Sequence, residues 1–224
     1  MSKMVIFGEG KIADAVYFYL KNDTPHEVVA FTADADYITK TELHDLPVVP
    51  FEGIQSRYPP DDFKMFVALG YQNMNSLRAT KYQQAKDKGY ELIRYINSRA
   101  SNFGQVAIGD NCFVLENTVL QPGSAIGNNV LIWSGNHIGH HARIEDHCYI
   151  AGHVIIAGST IVGSRCFIGV NATIGHEVTI GRESFIGASC VVTKSAEAGS
   201  VFVAPDTPKF RLNSASFLRL TKMK

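Results

Sequence analysis

Ile138-Gly-His-His-Ala-Arg-Ile144-Glu-Asp-His-Cys-Tyr-Ile150-Ala-Gly-His-Val-Ile-Ile156-Ala-Gly-Ser-Thr-Ile-Val162 returns an aliphatic side chain at every sixth residue. The register runs outward in both directions, through Ile108, Val114, Leu120, Ile126 and Ile132 on one side and Ile168, Ile174, Ile180, Ile186 and Val192 on the other. Neither a helix of period ~3.6 nor an alternating strand produces such a spacing, whereas a solenoid of short flat β-segments, each turning one aliphatic inward, does. If three hexads close one triangular coil, residues eighteen apart stack on neighbouring coils, roughly 4.8 Å from each other. Counting along the chain therefore yields geometry: Gly158 should lie beside His140.

A second column supports the same reading. Four residues after each aliphatic stands a small side chain, among them Thr118, Ser124, Val130, Ala142, Val154, Thr160, Ala172, Val178 and Ser184, and all four cysteines, Cys112, Cys148, Cys166 and Cys190, occupy this slot. They read as small inward-facing core thiols, with no Cys-x-x-Cys pair to hold a metal. Asn136 is the one amide in the slot, so it must find hydrogen bonds inside the coil.

Ahead of the hexads the pattern changes. Residues 1–95 read as a small parallel α/β domain: strand Met4–Phe7, helix Lys11–Lys21, strand Glu27–Thr32, strand Phe63–Leu69, helix Met74–Lys88 ended by Gly89, and a last strand Glu91–Ile96 leading into the repeat. At the first strand-to-helix turn stands Gly8-Glu9-Gly10-Lys11-Ile12-Ala13, with Asp34 just past the second strand. Such glycines let a phosphate approach a helix N-terminus, and an acid after the second strand can hold a ribose hydroxyl. The β-helix is expected over 96–203. Residues 204–224, which carry Lys209, Arg211, Arg219, Lys222 and Lys224, are expected to cap its open end.

Bulk properties narrow the choices. With 224 residues, 46% hydrophobic and 19% charged, the chain is an ordinary globular one, and its formal net charge of zero offers no field for nucleic acid or an anionic membrane. The opening Met1-Ser-Lys-Met-Val-Ile-Phe-Gly reads as a strand entering a turn and not as a signal peptide, which places the chain in the cytoplasm with no membrane insertion.

With the hexads, the G-x-G turn and Gly139-His140-His141 in view, the chain resembles the left-handed β-helix acyltransferases. Within them it is similar to the PglD/NeuD type, sugar acyltransferases with a nucleotide-binding α/β domain in front; the resemblance covers roughly residues 4–210. It implies a homotrimer with active sites between subunits. It also implies acetyl-coenzyme A as acyl donor, no metal, and a nucleotide-linked amino sugar as acceptor, in surface polysaccharide or lipopolysaccharide O-antigen biosynthesis. The family's I-G-H-[DE] hexad falls on Ile138-Gly139-His140-His141, making His140 the base. Coenzyme positions fall on Tyr149, Gly158, Val170, Ala188 and Lys194. Nucleotide-sugar positions fall on Gly8, Gly10, Lys11 and Asp34.

Three departures are visible. The acid that follows the base in the family is His141, the coenzyme-contacting histidine nine residues after the base is Tyr149, and the glycine-x-Pro-Ala ending is Ala204-Pro205-Asp206-Thr207-Pro208. Glu177 shares the column of His141 but two coils away, roughly 10 Å, too far to bond it.

An imidazole, titrating near ~6.5 in isolation, keeps a large neutral fraction at physiological pH and can take a proton from an attacking amine. The bare N–H of Gly158 would suit an oxyanion. Six of the eight histidines lie between 137 and 176, and His137, His147, His153 and His176 read as surface or groove-lining residues. Zinc chemistry of the γ-type carbonic anhydrase kind would need histidines five apart, which the six do not supply. O-acylation of a sugar hydroxyl and a non-catalytic β-helix scaffold remain as alternatives.

Overall fold

The computed structural model describes residues 2–102 and 106–222. Met1 of the opening strand and Lys224 of the basic tail lie outside the described residues.

In the N-terminal domain, β1 (Lys3–Phe7) lies between β2 (Glu27–Ala33) and β5 (Phe63–Val67), parallel to both. Beyond β2 the sheet continues with β4 (Leu46–Pro50), parallel to it, and β3 (Glu42–Leu43), which pairs with β4 antiparallel. The sheet is therefore mixed and not purely parallel, and the β3–β4 hairpin is an addition to the expected elements. Pro47 and Pro50 mask it, because proline removes ladder donors and reads as a breaker. Helix α1 (Lys11–Asp23) buries Ala13, Val16 and Leu20. Helix α2 runs Ser76–Asp87, two residues shorter at its start than expected, because Asn73, Met74 and Asn75 adopt φ of 49°, 49° and 64°. That left-handed run cannot be part of a right-handed helix.

The expected strand Glu91–Ile96 is divided between the two domains. Leu92 bridges to Met65 of β5, whereas Tyr95–Ile96 pairs with Phe113–Val114 and forms the first rung of the coil. From there three parallel sheets stack: one from Ser101–Asn102 to Val191–Val192, one from Ala107–Ile108 to Thr179–Ile180, and one from Tyr95–Ile96 to Val201–Phe202. Rungs pair eighteen residues on, as in Leu120 with Ile138 and Ile138 with Ile156, until the last coil, where Ile186 pairs with Phe202. The aliphatic column and the four cysteines fill the coil interior. Asn136 is buried there with both polar atoms engaged: Nδ2 donates to the Trp133 carbonyl and Oδ1 accepts from Val154 N–H at 2.7 Å.

At each corner one residue adopts φ near +57°, and His141, His147 and His153 share this position with Asn111, Asn129 and Asn171. Three of the six clustered histidines thus occupy a corner slot that polar residues fill in most coils, with Gly123 and Gly135 taking it elsewhere.

The α/β sheet packs its Met4, Ile6, Phe31 and Phe66 side against Tyr95, Phe113, Leu131 and Tyr149 of the third β-helix sheet. Arg78 of α2 seals the junction. It is fully buried, and its guanidinium donates to the carbonyls of Gly70, Asn129, His147 and Cys148 and to Asn75 Oδ1. The C-terminal helix α3 (Ser214–Thr221) buries no residue, so the expected cap is not made by this helix on its own chain. Ala196, Phe202 and Ala204 instead pack on the end of the core.

Candidate active site

His140 stands on the corner after the rung His137–Ile138. Its imidazole lies flat over Gly158 on the next coil: a Cβ built on Gly158 would come within 2.5 Å of His140 Nε2 and 2.6 Å of Cε1. Only glycine leaves room for the ring there. Gly139 is tight for the same reason, since a Cβ on it would meet Gly158 N at 2.5 Å. The backbone N–H of His140 donates to Gln121 Oε1 at 2.9 Å, tying the corner to the preceding coil. The ring is solvent-exposed in the protomer and not sealed inside the coil.

His141 turns the other way. Its left-handed backbone, φ 57°, lays the ring over Gly123 of the previous coil, where a Cβ would fall 2.8 Å from His141 Cδ2. The two imidazoles meet through Nδ1 of each, 3.2 Å apart. On the far side, the His176 ring centroid lies 6.0 Å from that of His140, and its Nε2 is 3.4 Å from Glu177 Oε1. Exposed Lys194 follows one coil further along the same column. His140, His141, Gly158, His176 and Lys194 therefore line one corner.

The remaining expected coenzyme residues are elsewhere. Val170 and Ala188, both exposed, sit on the corner that follows the third sheet, after Phe167–Ile168 and Phe185–Ile186. Within one chain this is a different edge of the prism from the one carrying His140. Tyr149 is only 8% exposed, stacked on Phe167 at 5.5 Å and flanked by Tyr71 and Trp133. Burial raises its hydroxyl above the usual tyrosine range. Its ring takes part in the packing between the domains and also lines a surface cavity together with Val170. Trp133 joins the same cluster, its indole Nε1 buried without a partner.

In the α/β domain, Gly8 has φ 123°, and a Cβ on it would fall 2.7 Å from the Ala68 carbonyl oxygen, so the turn after β1 requires glycine. Around Gly10 a side chain would meet open space. Gly8 and Gly10 line one cavity of 460 Å³ with Asp34 from beyond the second strand, together with Glu9, Tyr37, Gln72 and Lys81. The first amides of α1 have no side-chain cap, which leaves donors for an anion. Lys11 is exposed at the first position of α1, and its side chain does not line this cavity.

Lys81 was not legible in the sequence. It comes from α2 and places Nζ 2.7 Å from Asp34 Oδ1, a contact across 47 residues that no local motif announces. Glu9 Oε1 accepts from Thr39 N–H and hydroxyl, and its Oε2 is buried unpartnered.

The four cysteines are buried and free, and burial pushes the Cys112 thiol up to about 12, far from the thiolate a nucleophile needs. Among the described residues no three His, Cys, Asp or Glu side chains converge on a metal position, and no helix is long and apolar enough to cross a membrane.

Residues 123–158 and 159–194 match the family model described as bacterial transferase hexapeptide (six repeats). The structure is similar to that of a mutant of perosamine N-acetyltransferase from Caulobacter crescentus in complex with CoA and GDP-perosamine: 27% identity and a TM-score of 0.79, with 90% of this chain and 92% of that chain covered. It is also similar to the acetyltransferase domain of PglB from Neisseria gonorrhoeae FA1090, at 22% identity, TM-score 0.78, 90% of this chain and 96% of that one. WeeI from Acinetobacter baumannii AYE matches at 20% identity, TM-score 0.67, 91% of this chain and 97% of that one. The last two speak for the fold alone. Compared by sequence with curated proteins, the chain has no match. Its fifteen hexads, the α/β domain that precedes them, the hexapeptide match over 123–194 and the likeness to the perosamine enzyme are consistent with a left-handed β-helix acyltransferase of the PglD/NeuD type.

Proposed function

We propose that the protein transfers the acetyl group of acetyl-coenzyme A to the amino group of a nucleotide-linked amino sugar, by direct attack, with His140 as general base. The observation that carries this reading is the exposed His140 imidazole seated against Gly158, which brings Nε2 close to the Gly158 backbone. The thioester carbonyl is assigned to the solvent side of this exposed ring, within reach of the Gly158 amide. The sugar nitrogen attacks its carbon while His140 Nε2 takes the N–H proton and the Gly158 amide holds the developing oxyanion. The C–S bond then breaks, and the thiolate leaves as free coenzyme A with the proton returned from His140. No covalent acyl-enzyme is needed, in keeping with cysteines that all face inward.

The sugar nucleotide is assigned to the Gly8–Gly10–Asp34 cavity, with its diphosphate at the N-terminus of α1 and its ribose toward Asp34 and Lys81. The related perosamine enzyme, crystallised with CoA and GDP-perosamine, supports both the donor and the acceptor class. A homotrimer completes the site in this reading, because the His140 corner and the Val170–Ala188 corner lie on different edges of one chain and only a second copy can bring them to one cleft. Exposed Ile155 and Ile161 on the coil faces suit such an association. The assembly would act in the cytoplasm, on precursors of surface polysaccharide such as O-antigen.

Release of free thiol from acetyl-coenzyme A, measured across nucleotide-linked amino sugars and their hydroxyl counterparts, tests the reading. Turnover confined to an amino sugar is expected, and His140→Ala should lower kcat about 100-fold or more with coenzyme affinity retained. Turnover of the hydroxyl sugars alone, or an unchanged rate in His140→Ala, would refute it.

A further inference from the structure

The reading of His140 as base leaves its ring to be held in the productive tautomer, and the geometry points to His141 as the group that does so. We propose that His141 is a positioning residue that accepts a hydrogen bond from His140 Nδ1–H through its own Nδ1. The proposal rests on His140 being the base.

A base working through Nε2 must carry its proton on Nδ1, and that proton needs an acceptor. Among the described residues, the hydrogen-bond partner of His140 Nδ1 is His141 Nδ1, 3.2 Å away. His141 must then hold its own proton on Nε2. Its ring is set in place twice over: φ of 57° sends the side chain back along the coil, and Gly123, itself at φ 77°, leaves the space it fills. Other polar groups at the corner are engaged differently. Gln121 Oε1 takes the backbone N–H of His140, Glu177 faces His176, and Lys194 lies a coil beyond His176.

A neutral acceptor behaves differently from a carboxylate. It fixes the tautomer without placing a full negative charge beside the base. No bond to carbon is involved; the only atom shared is the proton between the two Nδ1 positions.

Three substitutions separate the possibilities. His141→Phe keeps a ring but removes the acceptor, and kcat should fall about 10-fold or more with KM for both substrates held within about twofold. His141→Asn keeps the corner conformation and offers Oδ1, so it should recover most of that loss. His141→Asp should move the acid limb of the kcat/KM profile upward by about one pH unit. Wild-type kcat and pH profile in His141→Phe would overturn the proposal. Imidazole ¹⁵N NMR of the wild-type protein, without substrate, adds a readout independent of turnover: Nδ1–H on His140 and Nε2–H on His141 are expected, and the reverse assignment would also overturn it. Should no amino sugar be acetylated by the wild type, the functional reading fails while the NMR result still decides the tautomer.

Discussion

At the scale of single residues, Gly158 is the most sensitive position in the corner after the histidines. Gly158→Val would place its Cβ within 2.5 Å of His140 Nε2, so the imidazole must swing away from its place beside the Gly158 amide. Turnover should drop about 100-fold, the usual consequence of an ångström-scale displacement at a reacting centre, with little change in melting temperature. A normal rate of thiol release would place the thioester elsewhere. The neighbour relation between His140 and Gly158 is legible in the residue numbers alone, because residues eighteen apart stack by the geometry of the repeat. The direction of the His141 ring is not: it depends on a left-handed corner and on a glycine one coil back, and counting hexads shows only that the two rings are sequence neighbours.

At the scale of elements, a column of side chains runs along the corner beneath α2. Asn111 Nδ2 donates to Asn129 Oδ1 at 2.8 Å, Asn129 pairs with His147 Nδ1 at 2.9 Å, and Arg165 pairs with Glu183 at 2.5 Å. His147 binds its proton less readily than a free histidine, chiefly because burial removes it from water, with Arg78 and Arg165 adding to the effect against the opposing pull of Asp146. Below about pH 6.5 the unfolded chain therefore holds more protons than the folded one, and stability falls as pH drops through this window. His26, lowered mainly by desolvation, contributes with the same sign. Melting temperature should decline on going from about pH 7 to about pH 5.5, and His147→Asn, which suits the corner backbone, should flatten part of that slope. A slope unchanged in His147→Asn would show that the ring does not contribute.

The coil tolerates one amide inside for a related reason. Asn136→Leu leaves the Val154 N–H and the Trp133 carbonyl without their partner, a loss of about 1–3 kcal/mol that thermal unfolding would register. A neutral result would mean that water replaces the amide. Between Ile108 and Val192 the rungs of the coil were legible in the hexad register, whereas the β3–β4 hairpin and the start of α2 were not. Prolines conceal the first, and three consecutive left-handed residues truncate the second.

At the scale of the whole molecule, Arg78 couples the two domains. Burial draws its guanidinium down to about 10, which leaves it charged at neutral pH, and its donors satisfy carbonyls on both sides of the junction. Arg78→Met should cost about 2–4 kcal/mol by stranding those carbonyls, lowering the melting temperature by several degrees. Because Lys81 sits three residues further along α2, nucleotide affinity should weaken in the same variant. Unaltered stability would show that the interface apolar cluster alone holds the domains.

What the sequence determined by itself was whatever repeats at a constant separation: the coil, its inward aliphatics and thiols, the adjacency of His140 and Gly158, and the glycine turn that opens α1. These follow from covalent spacing and backbone geometry within one coil or one turn. Only the tertiary structure decided that the Tyr149 ring packs between the domains, that Lys81 meets Asp34, and that Arg78 caps carbonyls about 70 residues away. Those relations depend on how two unlike domains pack face to face, and no local period in the chain encodes that docking.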